Sequence, residues 1–348
     1  MKKILIWSAI ISCVIIIAFT ILGLVNNAKK DEDIKDSPGI EQPGGDNIDE
    51  PILENLEAGL YDIESGEMTA SFQSLIEEDY LILTGGALKA GNNMKRMRGR
   101  LIVSNDVSSL VDKVFMNSQL TEIIFDADSQ LKTIGSMAFN TTYNLRKVVL
   151  PESLETLGEN NFGNAYQLRE INIPSKITEL PTYSFQGCFN LKFVDLSNCL
   201  QLTKLGTHCF YNCHFLKEVI LPESLVELSN MAFNKCYELE KINLSNVKTL
   251  GNTVFSDCES LTEVDLSNCE TIGSYVFSNS GVKHIYISAK VTSVGDYAFQ
   301  NCNEIAIYCE NDFVEFNENW NKIYTDSTET HEIRYGYTYE QYLAEVNA

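Results

Sequence analysis

Apolar residues recur along this chain at fixed distances from a phenylalanine. Starting at Phe115, the series continues through Phe139, Phe162, Phe185, Phe210, Phe233, Phe255, Phe277 and Phe299, with steps of 24, 23, 23, 25, 23, 22, 22 and 22 residues. Five positions before each stands Leu110, Ile134, Leu157, Leu180, Leu205, Leu228, Leu250, Ile272 or Val294. Eight positions before comes a second column, from Val107 and Leu131 to Cys269 and Val291. After the phenylalanine runs leucine-x-x-valine-x-leucine, as in Leu145, Val148 and Leu150 or Leu216, Val219 and Leu221. One such unit cannot bury its apolar face alone, whereas stacked units share a core, with parallel strands about 4.8 Å apart. The pattern predicts a repeat solenoid of nine units, 22–25 residues each. The leucine-x-x-valine-x-leucine strand forms one face. A second short extended segment, as at Val291–Gly295, and a turn or short helix around the phenylalanine form the others. Glycine often stands four before the phenylalanine (Gly135, Gly158, Gly206, Gly251, Gly273, Gly295), where a turn needs positive φ or the backbone approaches closely.

The segment SAKVTSVGDYAFQNC, Ser288–Cys302, resembles the BspA-like, or treponemal-type, leucine-rich repeat. The resemblance covers about Leu101–Cys302. Ala58–Tyr80 looks like the family's N-terminal lead-in and Ile305–Asn321 like its closing segment. It implies a right-handed leucine-rich-repeat horseshoe on an exported surface protein, often an adhesin or host-interaction factor. No binding residue carries over by motif, and no cofactor is implied.

Outside the repeats, Lys2 and Lys3 precede an uncharged, mostly apolar run, Ile4–Val25. Its 22 residues match the roughly 20 that a bilayer core requires. The expectation is a retained signal-anchor with a cytoplasmic N-terminus and the repeats outside. Cleavage near Ala28, giving a secreted form, and lipidation at Cys13 are the alternatives. Between Lys29 and Glu57 ten acids face three lysines, too little apolar surface to fold. The expected plan is therefore a signal-anchor transmembrane segment over 1–28, an acidic disordered tether over 29–57, an N-terminal cap over 58–104, the solenoid over 105–304 and a C-terminal cap over 305–348. Trp320 and the tyrosines Tyr324, Tyr335, Tyr337, Tyr339 and Tyr342 are expected to seal the open end of the core. Thr338 and Gln341 form a capping-box pattern opening a last helix, YEQYLAEV.

A net charge of −22 excludes a nucleic-acid surface, which needs an excess of lysine and arginine. Metal chemistry is suggested by HCFYNCHFLKEVILP, His208–Pro222, until the repeat is recognised. Cys213 then joins Cys188, Cys236, Cys258 and Cys302 in an inward column three residues after the phenylalanine, and Cys209 replaces the alanine of other units. Buried thiols of this kind act as small hydrophobes. His208, Cys209, Cys213 and His214 diverge and do not converge tetrahedrally, as zinc requires. Catalytic motifs are missing: there is no G-x-S-x-G, P-loop or H-E-x-x-H. No catalytic and no metal-binding residue is expected.

Two variable columns carry the candidate site. Four residues after the phenylalanine come Tyr143, Tyr166, Phe189, His214 and Tyr237; seven after it come Arg146, Arg169, Lys192 and Lys217. Read as a binding stripe, aromatic groups beside cations suit a glycan or an acidic protein segment. Read structurally, they are a stacking ladder whose cations balance nearby acids. A neighbouring column, Glu122, Lys147, Glu170, Phe193, Glu218, Lys241, Glu263 and His284, alternates in charge and keeps strand register. The functional expectation is a membrane-tethered surface protein mediating protein–protein or adhesive contacts. The alternatives are a carbohydrate-binding module and an envelope scaffold subunit.

Overall fold

The computed structural model describes residues 56–303, 305–311, 316, 318–323 and 328–346. The repeats wind into a parallel β-solenoid. All nine phenylalanines are fully buried and stack ring on ring, with centroids 5.0–5.9 Å apart. Their spacing in sequence is thus the pitch of the solenoid: one turn of chain returns each ring beneath the next.

Two ladders of short parallel strands flank this column. The leucine-x-x-valine-x-leucine segments form the first, through Gln119–Phe125, Lys147–Val149 and Glu170–Ile171. It resumes with Phe193–Asp195, Glu218–Ile220 and Lys241–Ile242, and ends with His284–Ile287, Ala306–Cys309 and Ile333–Tyr335. No strand pairing crosses from Glu170–Ile171 to Phe193–Asp195. The second ladder carries the column five before the phenylalanine, from Ser109–Leu110 to Thr156–Leu157 and from Lys204–Leu205 to Ser293–Val294.

The phenylalanine turns form a third ladder, and its backbone differs from the simplest reading of the glycines. Residues two before and two after the phenylalanine are left-handed, with φ of 54–64° at non-glycine positions such as His208, Asn212, Met231 and Lys235. This places alternate N–H groups on one side. His208, Phe210 and Asn212 donate to the carbonyls of Asn230, Ala232 and Asn234 in the next unit, at 3.0, 2.8 and 2.8 Å. The glycines four before the phenylalanine serve close approach instead: a Cβ on Gly251 would meet the amide nitrogen of Asn230 at 2.7 Å.

The N-terminal cap pairs Gly59–Tyr61 with Met68–Ser71 and with Arg98–Val103. A short helix, Phe72–Glu77, buries Phe72 and Leu75 against the first repeat, and the Ser71 hydroxyl accepts the Ser74 N–H at 3.1 Å.

The C-terminal end divides its aromatic residues between two jobs. Trp320 meets Phe299 edge-on at 6.1 Å and closes the core. The tyrosines do not join it. Tyr286 and Tyr308 alternate with the inward Ile285, Ile287, Ile307 and Cys309, so they project from the strand face. The helix Tyr339–Val346 lies on them, with Tyr342 5.4 Å from Tyr286 and 5.2 Å from Tyr308. The helix opens as the sequence indicates: Thr338 N–H donates to Gln341 Oε1 at 2.8 Å and Gln341 N–H to Thr338 Oγ1 at 3.3 Å. Tyr324 lies outside the described residues.

The membrane expectations are corrected. Among the described residues no helix is long and apolar enough to cross a membrane: the two α-helices have six and eight residues, against the roughly 20 a span requires. The reading of a single-pass transmembrane signal-anchor, of the membrane as a partner and of a cell-membrane location therefore has no span among the described residues to rest on. The run Ile4–Val25 on which that reading rested, and the tether after it as far as Asn55, lie outside the described residues.

Candidate functional site

The aromatic column becomes a continuous stack because each ring sits one solenoid turn from the next. Tyr143 and Tyr166 are 5.0 Å apart, Tyr166 and Phe189 4.7 Å, Phe189 and His214 4.7 Å, and His214 and Tyr237 4.9 Å. In the inner part of the row the planes lie 5° and 15° from parallel. The faces of Tyr166, Phe189 and His214 are therefore turned onto one another, and the row shows solvent its ring edges. Tyr143, at the end, is 49% exposed. Burial raises the Tyr166 and Tyr237 phenol pKa values and lowers that of His214, helped by Lys235 nearby. His214 Nε2 shares a 2.8 Å hydrogen bond with Asn212 Oδ1. These pKa shifts favour the neutral forms of Tyr166, His214 and Tyr237.

The basic column behaves differently. Arg146, Arg169, Lys192 and Lys217 are all exposed. The Arg169 N–H donates to the Arg146 carbonyl at 2.9 Å, and that of Lys217 to Lys192 at 2.9 Å, so neighbouring cations stand on neighbouring turns. Lys217 lies 3.7 Å from both Glu238 and Glu240. Arg146, Arg169 and Lys192 form no ion pair among the described residues. Elsewhere charges are matched across adjacent strands: Arg100 with Glu122 at 2.5 Å, Lys147 with Glu170 at 3.4 Å, Lys204 with Glu227 at 2.6 Å and Lys248 with Glu270 at 3.0 Å. The balancing role weighed for the cations holds for Lys217 alone.

Sequence reasoning missed a groove beside this column. Where the strand ladder stops after Ile171, a depression of about 360 Å³ is lined by Lys147, Val149, Arg169, Glu170, Ile171 and Phe193, among others. Phe193 is 45% exposed. The signal was present as the one phenylalanine in a column otherwise made of acids, lysines and a histidine.

The cysteines serve the core. All nine among the described residues are free and buried. In the column, the thiols of Cys188, Cys213, Cys236, Cys258 and Cys302 donate to the carbonyls of Phe162, Phe185, Phe210, Phe233 and Phe277, at 3.0–3.2 Å. Each thiol satisfies a buried acceptor in the preceding unit, a role Thr142 Oγ1 fills within its own turn by donating to Phe139 O. Burial pushes every one of these thiol pKa values up, that of Cys302 to about 11. His208 does not join them: it stacks on Tyr183 at 4.8 Å, in a different row from His214. No group of three or more metal-ligating side chains occurs among the described residues.

A profile of the BspA type leucine rich repeat region matches residues 108–202 and 190–306, in six copies. Two solved structures share the fold. A leucine-rich repeat protein from Bacteroides ovatus is 22% identical, covering 74% of this chain and 69% of its own, with a TM-score of 0.60. A leucine rich cell surface protein from Faecalibacterium prausnitzii is 18% identical, covering 76% and 94%, with a TM-score of 0.50. No curated protein matches the chain in sequence.

Proposed function

The chain belongs to the BspA-type leucine-rich-repeat family, and from that premise we propose that it is a non-catalytic protein holding a macromolecular partner on its strand face. One observation carries the reading: Arg146, Arg169 and Lys192 stand in a row without acidic partners on a protein of net charge −22. Like charges on adjacent strands disfavour the folded chain, and a negatively charged ligand offsets that cost. The closing helix supports the same placement, because it covers the strand face over Tyr286 and Tyr308 and leaves the turns bearing the cations open. Adhesion to a protein surface and assembly as an envelope scaffold are two settings for such binding.

A carbohydrate module is the second reading. The inner rings of the row lack open faces for a sugar to stack on, but Tyr143 stands exposed three residues from Arg146. A panel of immobilised matrix proteins and acidic glycans, probed with the full chain and with Arg146→Gln/Arg169→Gln, tests the reading. Binding should fall about tenfold in the double variant, about 1.4 kcal/mol. Binding that is unchanged in that variant removes the strand face from consideration.

A further inference from the structure

The break in the strand ladder specifies the ligand's chemistry more narrowly, on the premise that the strand face is the binding surface. We propose that this site takes an extended acidic polypeptide segment, whose carboxylates meet Arg146, Arg169 and Lys192 while one apolar side chain enters the groove between Ile171 and Phe193.

Three features favour a polypeptide over a polyanionic glycan. First, the groove presents Val149, Ile171 and the exposed ring of Phe193 beside the unpaired Arg169. That combination rewards a chain carrying both acidic and apolar groups; a uniformly charged polysaccharide gains nothing from the apolar wall. Second, strand pairing continues on each side of the break but not across it, between Glu170–Ile171 and Phe193–Asp195. The turns stay stacked across it, with Tyr166 and Phe189 4.7 Å apart, so the lapse leaves room for a single side chain and not for an added strand. That suits a polypeptide's discrete apolar group better than a sugar ring. Third, the central aromatic faces are already stacked, which removes the flat platform a sugar ring uses.

The surrounding charges also set direction. Glu170 is engaged by Lys147 at 3.4 Å, while Asp195 and Glu218 flank Phe193 on the same sheet. Partner carboxylates are therefore favoured at the strand starts, where the cations stand, and disfavoured past Phe193. A cationic partner would meet the reverse, with like charges against the row.

The test uses the full chain and three probes: a short peptide alternating glutamate and threonine around a central leucine, the same peptide with serine for leucine, and heparin. The leucine peptide should bind tightest, weaken about tenfold with Arg169→Glu, equivalent to about 1.4 kcal/mol, and fall with Phe193→Ser to the level of the serine peptide. Circular dichroism melting of each variant checks that it folds. If heparin binds and neither peptide does, the polypeptide assignment is overturned while the strand face stands as a binding surface. If both peptides bind alike and Phe193→Ser changes nothing, the groove has no part and the proposal fails. If Arg169→Glu affects no probe, the strand-face reading falls with it.

Discussion

Tyr166 and Phe189 lie 4.7 Å apart with their planes 5° from parallel, and this geometry decides what the aromatic row does. Ring faces committed to one another stabilise neighbouring turns. Stacked pairs contribute about 0.5–1.5 kcal/mol each beyond area burial, and Phe189 makes two, with Tyr166 and His214. Phe189→Ala should therefore destabilise the protein by about 2 kcal/mol in urea unfolding. Phe189→Tyr should be nearly neutral. Equal stabilities for alanine and phenylalanine would show that the stack contributes nothing.

The thiol column makes stability depend on alkaline pH. Burial favours the neutral thiol, so the folded chain holds protons that the unfolded chain releases once pH passes the ordinary thiol value of 9.0. Stability is full below that value and falls as pH rises toward about 11, where Cys269 and Cys302 ionise in the folded state. Each thiol contributes a slope of about 1.4 kcal/mol per pH unit within its window. Denaturant melts between pH 8 and 11 should show this decline, shallower in Cys302→Ala. A thiol reagent such as Ellman's should label none of the nine buried cysteines until the chain unfolds. Labelling of more than one thiol per native chain at neutral pH, Cys13 being the tenth cysteine and outside the described residues, would contradict the burial argument.

The turn ladder separates two kinds of position that both invite glycine. Lys113 is exposed and held at φ 62°, a conformation that costs a side-chain-bearing residue about 1 kcal/mol or more. Lys113→Gly should raise stability by a few tenths to about 1 kcal/mol. Gly251→Ala should lower it by about 1–3 kcal/mol, because the new Cβ would press within 2.7 Å of the Asn230 backbone. Thermal melts of the two variants should move in opposite directions. Movement in the same direction would mean that the left-handed turns are not strained.

What the amino-acid order revealed follows from which surfaces repeat. The phenylalanine column, the leucine strands and the inward cysteines were legible because burial imposes one residue class at one offset in every unit. The left-handed turns were not. Two before the phenylalanine they hold residues as different as Lys113, Tyr183, His208 and Met231, fixed by the direction of backbone N–H groups and not by side-chain chemistry. Two after it, Asn117, Asn164, Asn212, Asp257, Asn279 and Asn301 share the Asn/Asp tolerance of left-handed backbone, a signal that was present and went unread. The break after Ile171 was hidden for a related reason: Ile171 and Val194 keep the inward pattern, so hydrophobicity runs unbroken while the hydrogen-bond ladder does not. The tyrosine tail read as apolar and cap-like, but nothing in its periodicity distinguishes the end of a solenoid from the strand face beside it. For the site, the two columns were legible as rows. Whether cations had acid partners depended on side-chain reach, and only Lys217 found them.

The central claim is that Arg146, Arg169 and Lys192 are unpaired in the free chain and await a negative partner. The melting temperature of Arg169→Glu, compared with wild type at low and high salt, tests it without any ligand. A glutamate between two cations turns repulsion into attraction, worth a few tenths to about 1 kcal/mol. The account predicts a melting temperature higher by about 1–3 °C at low salt, with the gain shrinking as salt screens it. A lower melting temperature for Arg169→Glu would contradict it, because Arg169 would then already be held by an acid of its own chain.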